Sequence, residues 1–399
     1  MEPKVRFKGF SGEWNVYTIG DIAPVMGGYA FQSEQFSNSG IAIVRISNIL
    51  DTGIIGGDFV KYDIFTGDTS FRLYSGDILI AMSGATTGKV AIVKTDKFLY
   101  QNQRVGKFSR TDKINYSFLA SIVGSNKFRL ELNKRLTSSA QPNASSRDID
   151  SIQQYLPNDI IEQGTIASFF SSIDSTIISS AKKLASLKKL KSASLVTMFP
   201  QNGESMPKVR FKGFEGEWDK QSASDLFLTI DERNRLELPV LSACQDVRGM
   251  IPRDKIGFNV SHDTSNEVTY KRVQPGQFVI HLRSFQGGFA HSSYDGIISP
   301  AYTVFDFKNK EQHDDYYWKI VFMSRSFIER LRLITYGIRD GRSISFNEFK
   351  ELSFLFPSKE EQQAIASFFR TLNRKIALET ARLEKLKQIK LACLDKMFV

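Results

Sequence analysis

The feature that most limits how this chain can fold is a long helical pattern that occurs twice. Glu162 to Phe199 and Glu361 to Phe398 align without a gap at an offset of 199, and sixteen of the thirty-eight positions are identical. The run Ile166-Ala167-Ser168-Phe169-Phe170 returns as Ile365-Ala366-Ser367-Phe368-Phe369. Apolar residues recur mostly in steps of four and three at Ile166, Phe170, Ile173, Ile177, Leu184 and Leu187. The second copy answers with Ile365, Phe369, Leu372, Ile376, Leu383 and Leu386. This spacing draws one narrow apolar seam along a helix, the pattern of a coiled coil. Neither stretch holds a proline, and Gly164 lies in the first turn, so each runs as one rod. At a rise of ~1.5 Å per residue the rod is ~57 Å long. A seam of that length needs a partner, and the other copy supplies one. Ser180 and Glu379, with Lys191 and Lys390, interrupt the seam with polar groups of the kind that fix register.

The duplication is not confined to the rods. Pro3 to Trp14 reads PKVRFKGFSGEW and Pro207 to Trp218 reads PKVRFKGFEGEW, eleven of twelve residues identical. The chain is therefore two tandem copies of one plan: a basic-aromatic lead, a globular segment and a long helix. The expected division is a globular domain over 1–156, a central helix and linker over 157–200, a second globular domain over 201–356, and a terminal helix over 357–399. Pro200-Gln201-Asn202-Gly203-Glu204-Ser205 has the composition of a helix stop and linker. Within the globular segments, Ile41–Ile46, Asp77–Met82, Gln277–Leu282 and Tyr302–Phe307 read as strands. Tyr116–Leu136 and Tyr316–Leu333 read as helices. The expected class is α+β: two mixed α/β domains joined by long helices that form an antiparallel intramolecular coiled coil with pseudo-two-fold symmetry.

A formal charge of +10 and a pI near 9.3 favour a polyanionic partner. Cys244 and Cys393 are far apart and form no metal or disulfide pattern, so buried inert thiols in a reducing compartment are expected. The N-terminus lacks the apolar core of a signal peptide, and no run approaches the ~20 apolar residues of a membrane span. A cytoplasmic protein is the expectation.

Gly84-Ala85-Thr86-Thr87-Gly88-Lys89 is a glycine-bearing loop with hydroxyls and a lysine. It lacks the spacing of a nucleotide-binding loop, and Val90 follows where Ser or Thr is required. It is either a hairpin turn or a contact to a phosphate backbone. Ser299-Pro300-Ala301-Tyr302 resembles the Ser/Asn/Asp-Pro-Pro-Tyr loop of adenine methyltransferases without its second proline. Glu348 and Lys350 form a Glu-x-Lys pair with no upstream Pro-Asp, so surface charge is expected there. All four histidines fall in the second copy and show no metal-ligand spacing. No catalytic and no metal-binding residue is assigned. Groups suited to DNA are more plentiful, because Arg, Gln and Asn pair with base edges and Lys with phosphates. In the first copy these are Lys89, Thr86, Gln101, Gln103, Arg104, Gln141 and Asn143. In the second they are Arg283, Ser284, Gln286, Arg339 and Arg342.

With those residues in view, the sequence resembles the specificity (S) subunit of bacterial type I restriction–modification systems over essentially its whole length. Phe31-Gln32-Ser33, Arg45-Ile46-Ser47-Asn48 and Gly76-Asp77-Ile78-Leu79 look like the family's first-domain phrases, as do Ser83-Gly84-Ala85-Thr86 and Ser139-Ala140-Gln141-Pro142-Asn143. Leu238-Pro239-Val240-Leu241-Ser242 and Leu282-Arg283-Ser284-Phe285-Gln286-Gly287-Gly288 are similar phrases in the second copy. The most specific feature is the lead into each rod, Pro157 with Glu162-Gln163 and Pro357 with Glu361-Gln362. Pro157-Asn158-Asp159-Ile160-Ile161 departs from the pattern by one extra residue and a missing second proline.

The resemblance implies a chain without catalysis of its own. Each target-recognition domain would read one half of a bipartite, asymmetric site on double-stranded DNA, and the helices would set the half-site spacing. Its implied partners are two methylation (M) subunits, which bind S-adenosylmethionine, and restriction (R) subunits, which use ATP and Mg. No cofactor is expected in this chain. Two other classes stay open: a catalytic adenine methyltransferase using the Ser299–Tyr302 loop, and a coiled-coil adaptor that binds nucleic acid without sequence preference.

Overall fold

In a computed structural model of the chain, the residues described are 1–136, 143–201, 203–244, 249–255, 264–281, 288–334 and 344–399. The chain divides into two compact units. The first comprises Met1–Leu184 with Glu379–Val399, and the second Ala185–Leu378. Each unit therefore holds one globular domain, the start of one long helix and the end of the other. The helices run Ile160–Thr197 and Lys359–Met397.

The globular part of the first unit carries two four-stranded sheets. One is ordered Val25–Gly27, Val105–Phe108, Ile78–Ala81, Val90–Ile92, with every neighbour antiparallel. All four residues of Ile78–Ala81 are buried, as expected of a strand covered on both faces. Its alternation divides them: Ile78 and Ile80 enter the core shared with the helices, while Leu79 and Ala81 enter a second core with Val44, Leu73 and Val93. The other sheet is ordered Lys61–Tyr62, Ile41–Val44, Leu99–Gln101, Arg72–Leu73. In it Ile41–Val44 and Leu99–Gln101 run parallel, with Val44 opposite Gln101. A two-stranded clip, Asn15–Thr18 against Gln153–Leu156, closes the domain just before the central helix.

The second unit repeats the clip as Asp219–Ser222 against Ser353–Phe356. Its main sheet has six strands, ordered Phe227–Ile230, Thr303–Phe307, Phe278–Ile280, Phe289–Ser292, Gly249–Pro252, Leu241–Cys244. The region expected as one helix over Tyr116–Leu136 is two, Tyr116–Val123 and Asn126–Arg135. Gly124 ends the first, and the Ser125 hydroxyl accepts from Phe128 N to start the second. The counterpart breaks the same way, with the Ser324 hydroxyl accepting from Phe327 N between Asp315–Met323 and Arg325–Ile334.

Within each unit the long helices meet antiparallel. Ile166, Ala167 and Phe170 share the first unit's core with Leu394, Met397 and Phe398. In the second unit Ile365, Ala366 and Phe369 share theirs with Leu195, Met198 and Phe199. All twelve seam positions are buried or half-buried. Ser180 and Glu379 occupy the same position in the two copies and bond to each other, Oγ to Oε1 at 2.5 Å. Lys183 adds an ion pair to Glu379 at 2.8 Å. Lys390, expected with Lys191 as a second polar position of the seam, pairs with Asp174 at 2.6 Å.

The duplicated lead is a clamp on these helices. Val5 N donates to Lys396 O at 3.0 Å, satisfying one of the carbonyls that a helix end leaves open. The Arg6 guanidinium grips the Glu162 carboxylate through two donors at 2.7 and 2.8 Å, and Glu162 is 1% exposed. The second copy reproduces both contacts, Val209 N to Thr197 O at 2.9 Å and Arg210 to Glu361 at 2.8 and 2.7 Å. Trp14 and Trp218 close the leads, packing on Phe118 and Phe398 and on Tyr317 and Phe199 respectively. Cys244 and Cys393 are free and half-buried rather than sealed in the core. Among the described residues no helix is long and apolar enough to cross a membrane.

Candidate nucleic-acid interface

In the first unit a set of loops converges where the parallel strands end. Because Val44 lies opposite Gln101 in parallel register, Arg45 and Asn102 leave the sheet side by side, and Asn102 N donates to Val44 O at 3.1 Å. Gln101 does not face outward. It is fully buried, and its Nε2 donates to Met26 O and Val105 O, each at 2.8 Å. A side chain that spends both donors inside the sheet has none for a base edge, so its work is to brace the loop that follows. Gly28 permits that loop to sit close, since a Cβ there would come within 2.3 Å of Gln101 O. Tyr29 N then donates to Gln101 O, and Gln103 N to Tyr29 O, both at 2.9 Å.

Gln103 and Arg104 are exposed on this braced turn. Arg104 Nη1 donates to Ser83 Oγ at 3.3 Å, and among the described residues no carboxylate pairs with its guanidinium. Met82 N donates to Arg104 O of the same turn at 3.0 Å, and Ala144 N donates to Met82 O at 2.8 Å. Ser83 and the exposed Asn143 form an antiparallel bridge. Thus three segments far apart in sequence present Arg104, Ser83 and Asn143 together.

The glycine-bearing loop is a hairpin turn between strands Ile78–Ala81 and Val90–Ile92. A nucleotide loop leads from a strand into a helix, so this context excludes that chemistry. Gly84 and Gly88 take φ of +74° and +82°, which bend the chain tightly enough for Gly88 N to donate to Ala81 O. Thr86 Oγ1 is buried without a hydrogen-bond partner. Lys89 is held by Asp51 at 2.7 Å, with Asp51 83% exposed. Such a surface pair contributes about 0–1 kcal/mol.

Arg45, quoted from the sequence as part of a family phrase and not as a DNA contact, belongs to this group. Asn48 fixes its turn: Asn48 Oδ1 accepts from Arg45 N, and Asn48 Nδ2 donates to Gly56 O and Asp58 O, all at 3.0 Å. Arg45 Nε is buried without a partner, and no carboxylate pairs with the guanidinium among the described residues. An arginine that directly follows a buried strand such as Ile41–Val44 is the signal that could have found it. Beneath the turn, Tyr29, Phe31, Tyr62, Phe65 and Tyr100 form an aromatic cluster. Asp68 inserts into it, accepting from the Tyr100 hydroxyl at 2.5 Å and from Arg72. That hydroxyl, with Arg72, holds the Asp68 carboxyl below its usual range.

In the second unit, His281 N donates to Gly288 O at 2.8 Å, extending the antiparallel pairing of Phe278–Ile280 with Phe289–Ser292. Arg283, Ser284 and Gln286 lie outside the described residues, as do Arg339, Arg342 and, in the first unit, Gln141. The Ser299-Pro300-Ala301-Tyr302 segment is the turn between Gly296–Ile298 and Thr303–Phe307. Tyr302 packs on the core around Leu241, and its carbonyl accepts from Lys271, which is not the arrangement of a loop open to a target amine. Glu348 is occupied as a helix cap, accepting from Ser345 N at 2.8 Å. Among the described residues no cluster of His, Cys, Asp and Glu could hold a metal ion.

Among the described residues, the first unit therefore offers guanidinium groups without carboxylate partners and an exposed amide pair on loops pinned by a sheet. That set can pair with phosphates and base edges. The sequence profile described as "Type I restriction modification DNA specificity domain" matches residues 11–189 and 222–388. The chain belongs to that family. It is 28% identical over 187 residues to the type I restriction enzyme MjaVIII specificity subunit of Methanocaldococcus jannaschii, a match spanning 45% of this chain and 44% of that protein. Among solved structures it is similar to the S subunit of a type I restriction–modification system from M. genitalium, with TM-score 0.66, 14% identity and coverage of 100% and 99% of the two chains. A second likeness, to a chain from work on complex assembly and conformational transition of the type I R-M system, has TM-score 0.51 and 16% identity over 98% and 99%. At these identities the structural likenesses establish the fold.

Proposed function

We propose that this chain is the DNA-recognition subunit of a type I restriction–modification complex. Each globular domain, 1–156 and 201–356, reads one half of a bipartite asymmetric site. The helices over 157–200 and 357–399 set the half-site spacing and dock two methylation subunits. The chain carries no catalysis of its own. S-adenosylmethionine enters with the methylation subunits, and ATP and Mg with the restriction subunits.

The observation that carries this reading is the loop edge of the first domain, where Arg45, Gln103, Arg104, Asn143 and the 84–89 hairpin gather on braced backbone. Guanidinium groups without carboxylate partners suit phosphates and guanine edges. Lys89 adds a phosphate contact once it leaves Asp51. The contact set proposed for the first domain is Arg45, Thr86, Lys89, Gln103, Arg104 and Asn143, with Gln141 beside them in sequence; Gln101 is left out because it is spent inside the sheet. In the second domain the proposed contacts remain Arg283, Ser284, Gln286, Arg339 and Arg342.

The test is binding of the full chain, with its system's methylation subunit, to duplexes carrying the methylated sequence or a scrambled one. A preference for the methylated sequence of at least ~10³ supports the reading, since specific sites exceed non-specific binding by that much or more. Equal, salt-sensitive affinity for all sequences would favour the adaptor alternative instead.

A further inference from the structure

The first unit holds a cavity of about 350 Å³ bounded by the sheet edge, the Tyr116–Val123 helix and both long helices. Ile78, Phe170 and Leu394 give it apolar walls, and Ser117, Ala120 and Ser171 leave it open because they are small. Its volume lies at the lower end of the range of ~300–1,000 Å³ common for binding pockets.

The second unit states what belongs in such a space. The two copies correspond at an offset of 199 here, because Asn115 N donates to Gln163 Oε1 in one and Asp314 N to Gln362 Oε1 in the other. Ser117, Ala120 and Ser171 therefore become Tyr316, Lys319 and Arg370. These three pack on one another. The Arg370 guanidinium lies over the Tyr316 ring at 4.6 Å, Lys319 Nζ lies 5.4 Å from the same ring, and Asn373 Nδ2 donates to the Tyr316 hydroxyl at 3.0 Å. The counterpart of Asn373 is Asp174, which lines the open cavity.

We propose that the cavity of the first unit is a socket for a tyrosine side chain presented by a partner protein. By the docking reading above, on which this inference rests, that partner is a methylation subunit. The ring would lie against Ile78 and Phe170, and its hydroxyl would donate to the Asp174 carboxylate, which also pairs with Lys390 at the cavity wall, as Tyr316 accepts from Asn373. A phenol serves in both roles because its hydroxyl both donates and accepts. The second unit supplies its own ring at this place, so it cannot take the partner's. The two methylation subunits then bind with unequal affinity, although their docking helices are copies of one another.

The test uses the full chain and its system's methylation subunit, with stoichiometry read by native mass spectrometry and affinities by titration calorimetry. The wild-type chain takes two copies in two distinguishable steps. Ser117→Tyr with Ser171→Arg fills the socket as the second unit does; it weakens the tighter step at least tenfold and leaves thermal unfolding unchanged or raised. Ala120→Lys is the second variant, and decides the matter if the double substitution misfolds. p-Cresol, which carries the tyrosine ring and hydroxyl, competes with the tighter step in wild type and not in the filled chain. Two-step binding unchanged in the filled variants overturns the socket while leaving docking intact. A wild-type chain that takes up no methylation subunit overturns the docking reading, and the socket with it.

Discussion

The two units keep one frame and pack it differently. Where each domain meets the long helices the contacts are the same pair by pair: Arg6 with Glu162 and Arg210 with Glu361, Phe118 stacked on Phe398 and Tyr317 on Phe199. Away from the helices the cores diverge. The first relies on aliphatic residues such as Ile78, Ile122, Ile149 and Leu156, whereas the second is an aromatic mass in which Phe227, Phe278, Phe289, Phe305, Phe322, Phe349 and Phe354 touch one another. A frame held at the helices and free elsewhere is what two readers of unlike sequences require. The loops of one domain can change without disturbing the other's clamp.

The comparison is tested most severely at the clamp. Breaking a buried ion pair by removing one partner costs ~3–5 kcal/mol, because the other charge is left uncompensated. Glu162→Ala is expected to destabilise the first unit by that amount, and Glu361→Ala the second, each leaving the other unit protected. Hydrogen exchange resolved by residue distinguishes the units; loss of protection spread evenly over both would mean they unfold as one body.

Acid should separate the units next. His313 is buried among Phe307, Trp318 and Phe356, and burial, with Lys359 nearby, pushes its pKa down from 6.5 to about 4. Its counterpart in the first unit is Ile114, and the first copy holds no histidine. Between pH 6.5 and 4 the unfolded chain binds the proton and the folded one does not. The stability tied to this group is therefore complete above about pH 6.5 and lost as pH falls toward 4, on the order of 3 kcal/mol at pH 4. The second unit should melt earlier than the first as pH drops through that window. His313→Ile should flatten the difference in a pH series of thermal melts, and an unaltered acid response would assign it to other groups.

Smaller effects fall on the reading edge. Arg104→Ala and Arg45→Ala are each expected to weaken binding to the specific duplex by ~1–3 kcal/mol if they pair with bases, with relaxed discrimination in one half-site. Lys89→Ala should act on all sequences alike and lower the salt slope by about 1. Gln101→Ala belongs to a different class, lowering domain stability because Met26 O and Val105 O lose their donor. Fluorescence anisotropy over a salt series, beside thermal melts, sorts the four. A Gln101 variant that changes sequence preference at unchanged stability would put that side chain back at the DNA.

The long helices were legible because seam spacing is a direct print of helical geometry, and the sequence analysis located them to within two residues at each end. The break at Gly124-Ser125 was readable in principle, since glycine and a capping serine are stop and start signals, but the apolar periodicity ran through it. Gln101 misled because residue type says nothing of which strand face it occupies; only its pairing opposite Val44 puts it inside. Arg45 was noticed only as part of a family phrase, since its position beside Asn102 follows from a parallel pairing that no local pattern encodes. The cavity was invisible for a related cause: Ser117 lines it where matched surroundings in the second copy place Tyr316.

The central claim is that two independent reading surfaces share one repeated frame. Single-molecule mapping of methylated adenines in cells carrying the whole system, before and after residues 15–150 are exchanged for another recognition domain, tests it directly. The expected map keeps one half-site and the spacing and changes the other half-site. A map in which both halves change together, or neither does, would contradict it.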